Sequence, residues 1–236
     1  MNLLRLDKII ASQFNISRSI ARRDIHTGKV TVDEKVIRDP SLNVDLDEVQ
    51  VKYFGQAVSY KQYIYIVMNK PKDVLSASTD KSRTTVVDLV PEKLRRANLA
   101  PVGRLDKDTT GLLIITDDGD FSHKVISPKS GIFKTYNVLL DGEVTDRMCE
   151  SFAKGIVLAD GQALRPARLK RTGVNSAQIQ ISEGRYHQIK RMFGVVGLGV
   201  NGLERIALGK FSLPCDLSYG ECREMTEEEI AKIFID

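Results

Sequence analysis

The chain has 236 residues, 42% of them hydrophobic and 28% charged, with a formal net charge of +4. That length allows one sizeable core or a small domain joined to a larger one. No apolar run approaches the ~20 residues a membrane helix needs, so no membrane association is expected. Charged Arg5 and Asp7 stand where a secretory signal places its apolar stretch, which predicts no export and a cytoplasmic protein. Three cysteines, Cys149, Cys215 and Cys222, lack CxxC spacing and predict reduced thiols in place of a disulfide frame or a zinc site.

Residues 1–58 read as a compact unit. Leu6, Ile9, Ile10 and Phe14 fall at helical spacing and give a first helix one apolar face. Ser17 is placed to cap a second helix and Gly28 to end it in the left-handed conformation. KVTV, DEK and VI then predict a short hairpin, and the segment through Val49 and Val51 another strand. The unit holds nine Lys/Arg against eight Asp/Glu, yet Arg18, Arg22, Arg23 and Lys29 gather around the second helix with Asp24 as the one acid among them. Arg18 and Arg22 share a face at i, i+4 spacing, a pattern suited to gripping phosphates and equally to a solvated helix face. FGQAVSYKQ, 54–62, reads as a linker.

From residue 59 to 236 the pattern mixes strand-like runs (YIYIVMNKP, YNVLL, AQIQIS) with shorter helices, including DRMCESFAKG and EEEIAKIF. Neither an internal repeat nor a glycine-rich phosphate loop is present, and the pattern does not give a strand order. The stretch GRLDKDTTGLLIITDDGD at 103–120 carries five aspartates. GLLIIT is a buried strand; Asp117, Asp118 and Asp120 around Gly119 have turn and helix-cap chemistry, and the further ligands and distal Glu of a calcium loop are missing. Asp108, beside Thr109 and Thr110, is expected to hydrogen-bond locally. Asp106 differs: it follows Arg104 and apolar Leu105 just ahead of a buried strand, where a rigid scaffold can present a carboxylate to a cleft. By itself that position still favours a structural salt bridge.

Two resemblances decide between these readings. RLDK, the SRSIARRDI helix and the GKVTVD hairpin resemble an S-four RNA-binding domain across residues 3–52. GRLDKDTTGLLIITDDGD resembles the catalytic motif of pseudouridine synthases. VMNKP (67–71), FKTYNV (133–138), SEGRYHQIKRMF (182–193) and GLERIALGKFSL (202–213) are similar to further motifs of the same family, in order, in the branch where an S-four domain comes first. The resemblance implies an α+β protein: a small S-four domain over 1–58, then a catalytic domain over 59–236 with a long, mostly antiparallel mixed sheet flanked by helices. Asp73 stands where many relatives have glycine, and Lys190 where much of the wider superfamily has arginine. HQIK most resembles the branch acting on small-subunit ribosomal RNA.

The implied reaction detaches uracil from the ribose, turns it and rejoins it through carbon 5. It is an isomerisation, so neither a cofactor nor a metal is expected. The resemblance makes Asp106 the catalytic carboxylate, acting on the sugar either as nucleophile or as base. Burial alone raises a carboxylate pKa, and Lys190 is the implied cation that offsets it. Tyr136 is expected to stack on the uracil and to help remove the carbon 5 proton. Arg104 is expected to fill the gap left by the flipped nucleotide, Leu203 to pack behind the base, and Arg185, His187 and Arg191 to hold phosphates. The expected partner is 16S ribosomal RNA in a precursor particle, met by a monomeric enzyme. The rivals are a sibling acting on large-subunit RNA and a non-catalytic RNA-binding protein.

Overall fold

The computed structural model describes residues 3–235. The chain divides into two compact units, one reaching to Ile64 and including Arg95–Asn98, the other holding Tyr65–Leu94 and the chain from Leu99 onward. The first unit runs β1 (Leu4–Arg5), α1 (Leu6–Gln13), α2 (Arg18–His26), β2 (Val30–Val32), β3 (Lys35–Ile37), β4 (Asn43–Val44), β5 (Val51–Tyr53) and β6 (Gln56–Ala57). Leu6, Ile9 and Ile10 of α1 meet Ala21 and Ile25 of α2 over Val30, Val51 and Tyr53, which makes one small core. Ser17 Oγ accepts from the Ile20 amide at 3.2 Å and starts α2; Gly28, at φ +79°, turns the chain out of it.

Two tight turns shape the rest of this unit. Asp33 and Glu34 sit at φ +48° and +65° between β2 and β3, the paired left-handed geometry of a two-residue hairpin. Phe54 and Gly55, at φ +49° and +79°, repeat it between β5 and β6. The stretch read as a linker therefore begins as a strand: Gln56 and Ala57 pair with Tyr53 and Lys52. The polar composition of 54–62 hid a turn that two left-handed residues can make.

Two buried carboxylates organise the basic residues. Asp7 is fully buried, and takes Arg5 at 3.1 Å, Arg18 at 2.9 Å and Arg22 at 2.9 Å. Burial pushes the Asp7 carboxyl up, but hydrogen bonds from Arg5, Arg22 and Arg18 more than reverse this and hold it well below the usual carboxylate range. Asp24 takes Lys29 at 2.9 Å and the buried Tyr53 hydroxyl at 2.6 Å, with Arg23 at 3.4 Å. Hydrogen bonds from Lys29 and Tyr53 lower Asp24, while burial and then Asp24 push Tyr53 up to about 12.

The second unit runs β7 (Tyr65–Lys70), β8 (Ala100–Pro101), β9 (Thr110–Thr116), α3 (Gly119–Ile126), β10 (Lys134–Leu140), α4 (Asp146–Lys154), β11 (Arg168–Gly173), β12 (Ser176–Ile181), α5 (Gln188–Val195), β13 (Val200–Leu208), β14 (Phe211–Ser212), β15 (Cys222–Glu224) and α6 (Glu227–Lys232). Nine strands form one sheet in the order β11-β12-β10-β13-β9-β7-β15, with β8 and β14 on its margins. Every pairing is antiparallel except β13 with β9, which are parallel through Glu204–Thr110 and Arg205–Gly111. β9 is buried along its whole length. Leu112 and Ile114 pack with Val67, Phe121 and Val125 under α3, and with Met225 and Ile233 near the C-terminus. Asp118 Oδ1 caps α3 by accepting from the Phe121 amide at 3.0 Å, as its turn chemistry predicts. Phe152 of α4 meets Phe193 of α5 at 5.1 Å between ring centroids.

Asp7→Ala is expected to destabilise the first unit by about 2–4 kcal/mol, because it leaves three guanidinium groups facing a void. A carboxylate whose folded pKa is depressed stabilises above its unfolded value of about 3.9 and loses that contribution as pH falls below it. Urea unfolding of wild type and variant at pH 7 and pH 3 should show the difference shrinking at the lower pH.

Candidate active site

The loop between β8 and β9 is positioned by the turn that follows β7. Lys70 is fully buried, and its ammonium donates to four backbone carbonyls: Pro71 at 3.0 Å, Asp106 at 3.2 Å, Lys107 at 3.3 Å and Thr109 at 2.9 Å. Burial pulls the Lys70 pKa down to about 8, against the opposing charges of Asp108, Asp106 and Asp73. Ser76 Oγ bonds both the amide and the carbonyl of Leu105, at 3.1 and 2.9 Å. The Asp73 amide donates to the Lys107 carbonyl at 2.9 Å from a residue at φ +66°, which an aspartate tolerates better than most. Just downstream Gly111, at φ +98°, lies so close to β13 that a Cβ would run into the Arg205 carbonyl. Arg205, itself buried, donates from Nε to the Leu112 carbonyl at 2.7 Å.

Opposite this loop stands the start of α5. Lys190 Nζ lies 3.7 Å from Asp106 Oδ2, and His187 Nε2 lies 3.7 Å from Asp106 Oδ1. The Asp106 carboxylate thus faces an ammonium and an imidazole, while among the described residues it accepts no hydrogen bond from a side chain. Asp108 behaves otherwise. Both its oxygens accept from Lys190 at 2.7 Å, and that bond lowers its pKa. Beyond the local hydrogen bonding expected of Asp108, a side chain 82 positions away holds it, a pairing that no local pattern reveals.

The remaining residues singled out from sequence sort into three groups. Tyr136 on β10 is buried opposite Arg205 on β13, and Leu203 is partly buried opposite Val138. Arg104 is exposed and makes no ion pair or hydrogen bond among the described residues. The basic motif is less uniform: Arg185 lies 3.5 Å from buried Glu183, Arg191 pairs with Asp160, and His187 takes φ +48° with the Tyr186 ring stacked on it at 3.8 Å. A pocket beside Lys190 and Asp108 is also lined by Lys72 and Leu203. Sequence reasoning gave no role to Lys70, Ser76 or Arg205, although Lys70 lies in the matched VMNKP stretch and Arg205 in GLERIALGKFSL.

Comparison with known proteins places the chain in a family. Residues 64–194 match the model of the RNA pseudouridylate synthase family, and residues 4–49 match the S4 domain. The chain belongs to the pseudouridine synthases. It is 41% identical over 232 residues to ribosomal small subunit pseudouridine synthase A of Escherichia coli K12, covering 98% of this chain and 100% of the relative. It is 38% identical to an uncharacterized RNA pseudouridine synthase, YtzG, of Bacillus subtilis, covering 96% and 97%. A crystal structure of a pseudouridylate synthase matches with a TM-score of 0.69 at 34% identity, over 98% of this chain and 99% of that one. The enzyme is therefore an S4 domain joined to a pseudouridine synthase domain, as its motifs lead one to expect.

Lys70→Met, close in length but without donors, is expected to destabilise this synthase by about 2–4 kcal/mol, since four carbonyls lose a charged donor. Thermal unfolding against wild type measures it.

Proposed function

We propose that this synthase converts one uridine of 16S ribosomal RNA to pseudouridine, with Asp106 as the catalytic carboxylate. One observation carries the assignment of Asp106. In an aspartate-rich stretch it is the acid that sits 3.7 Å from Lys190 and from His187 without being consumed by a hydrogen bond, so its lone pairs remain available to a substrate. The relatives named for small-subunit RNA, together with HQIK at 187–190, support the choice of RNA. A cytoplasmic enzyme meeting a ribosomal precursor as a monomer fits that choice.

The chemistry follows from what each group offers. The N1–C1′ bond of the nucleotide breaks, the freed uracil turns, and a C5–C1′ bond forms; the proton leaving C5 is balanced by one gained at N1. Asp106 acts on the ribose, where carbon 1′ becomes electron-poor as the base departs. Lys190 holds a positive charge 3.7 Å from the carboxylate as RNA covers the site. Asp106 retains 29% of its side-chain exposure, so the RNA itself completes the exclusion of water. Tyr136 stacks on the ring and its hydroxyl helps remove the C5 proton, passing its own proton on as it accepts, and Leu203 backs the base. Nothing is oxidised or reduced, so the residues of the chain suffice.

The target uridine leaves its helix first, at a cost of a few kcal/mol that protein contacts offset. Exposed, unpaired Arg104 enters the vacated space. Arg185, His187 and Arg191 hold nearby phosphates, the two arginines from positions already anchored on Glu183 and Asp160. Residues 1–58 capture the RNA through Arg18, Arg22, Arg23 and Lys29, each resting on a buried carboxylate.

In a strain lacking the gene, one uridine of 16S RNA should lose its modification. Wild-type protein should restore it and Asp106→Asn should not, although the variant still binds RNA; full restoration by the variant would remove Asp106 from the centre of the reaction. For capture, replacing both Arg18 and Arg22 by alanine should weaken binding and flatten the plot of log affinity against log salt by roughly 1–2 units, about 0.7–0.9 for each phosphate left without its cation. An unchanged slope would place the RNA elsewhere.

A further inference from the structure

Beside the catalytic cleft lies a second concavity. On the sheet face opposite Tyr136, Asn137 and Leu139 of β10 are exposed. Gln178 and Gln180 of β12 reach across to Asn137 and Thr135 at 3.5 and 3.3 Å, which gives that face a polar floor. At its end is a groove of about 460 Å³, lined by Lys72, Asn137, Leu139, Thr172, Ser176 and Tyr219 among others. That volume lies within the ~300–1,000 Å³ of small-ligand sites. The groove shares Lys72, Gly202 and Leu203 with the pocket beside Lys190 and Asp108. Gly202 faces Leu139 across the β10–β13 ladder, where a Cβ would rest 3.3 Å from the leucine.

We infer that this groove binds a nucleotide neighbouring the target uridine in the same RNA strand, with its base on the ring of Tyr219 and its phosphate at Lys72. The inference rests on the pseudouridine synthase reading of the adjoining site. Tyr219 is 61% exposed, yet its ring is held in place. Its hydroxyl donates to Glu204 at 3.2 Å. The loop that carries it is tied to β7 by Gly220 to the Asn69 carbonyl at 2.8 Å and by Asn69 Nδ2 to the Leu217 carbonyl at 2.9 Å. An ordered, exposed aromatic ring is a platform on which any base stacks. Lys72 is exposed and makes no ion pair or hydrogen bond among the described residues, which leaves its charge for a phosphate. Glu204, the one acid lining the groove, is engaged by the tyrosine. An RNA strand that delivers a uridine to Asp106 continues on both sides of it, and the shared lining makes this groove the adjoining place for the next residue.

The test uses the full-length enzyme under steady-state turnover on a 16S RNA fragment whose modified uridine has been mapped. Tyr219→Ala should lower kcat/KM by at least about fivefold, expressed mainly in KM, in line with the loss of one stacked base. Tyr219→Phe should recover most of that loss, because the ring is kept. An abasic residue on one side of the target should cost the wild type a similar factor and erase its advantage over Tyr219→Ala. Wild-type kinetics for Tyr219→Ala would overturn the inference and leave the groove to some other partner. A deficit of the same size whichever neighbour is abasic would also overturn it, making Tyr219 a structural residue. A wild type that converts no uridine would bring down the parent reading and this one with it.

Discussion

The site depends on one buried ammonium group. Lys70 ends an apolar strand inside the protein, where a charge is costly unless it is fully solvated by the fold. Its hydrogen-bond partners are backbone carbonyls, and three of the four belong to the segment from Asp106 to Thr109. The loop is thereby bound to curl around the lysine, and the direction of the Asp106 side chain follows from that curl. The neighbouring bonds of Ser76 and Asp73 to Leu105 and Lys107 reinforce the same geometry. The proposed catalytic carboxylate is thus free at its tip because its backbone is fixed from behind.

The same separation of roles recurs in the first unit. There, buried Asp7 and Asp24 gather arginines and a lysine whose outer portions remain accessible. In each case an interior charge orders groups of opposite character at the surface. Arg18 and Arg22, about half exposed while bonded to Asp7, reach toward solvent with less rotamer freedom to lose when they meet a phosphate. The acid and the bases are read together only when the fold has brought residue 7 next to residues 18 and 22.

Much of this was legible in the sequence. Helix and strand periods placed α1, α2, β9 and α4, cap chemistry at Ser17 and Asp118 worked as the residue types predict, and the ordered motifs identified the family and both domains. What escaped was what depends on the meeting of distant residues. The bidentate hold of Lys190 on Asp108, the anchoring of Arg191 on Asp160, and the clamp of Lys70 have no local signature, because an isolated lysine or aspartate looks alike whether it is solvated or buried. Strand order also lay beyond period-two patterns: β13 inserts between β10 and β9 after a chain excursion through α4, β11, β12 and α5.

That insertion has a mechanical meaning. The sheet is broad, and its two halves are joined in register at two residue pairs, Glu204–Thr110 and Arg205–Gly111, backed by a core in which Leu208 and Phe211 pack with Leu112 and Ile114. One half carries the acid on its loop; the other carries the tyrosine and, through α5, the lysine. A seam drawn tight by a glycine that admits no side chain fixes how far the loop of Asp106 stands from the strand of Tyr136. A side chain at position 111 would wedge β9 away from β13 and so draw the acid away from the ammonium.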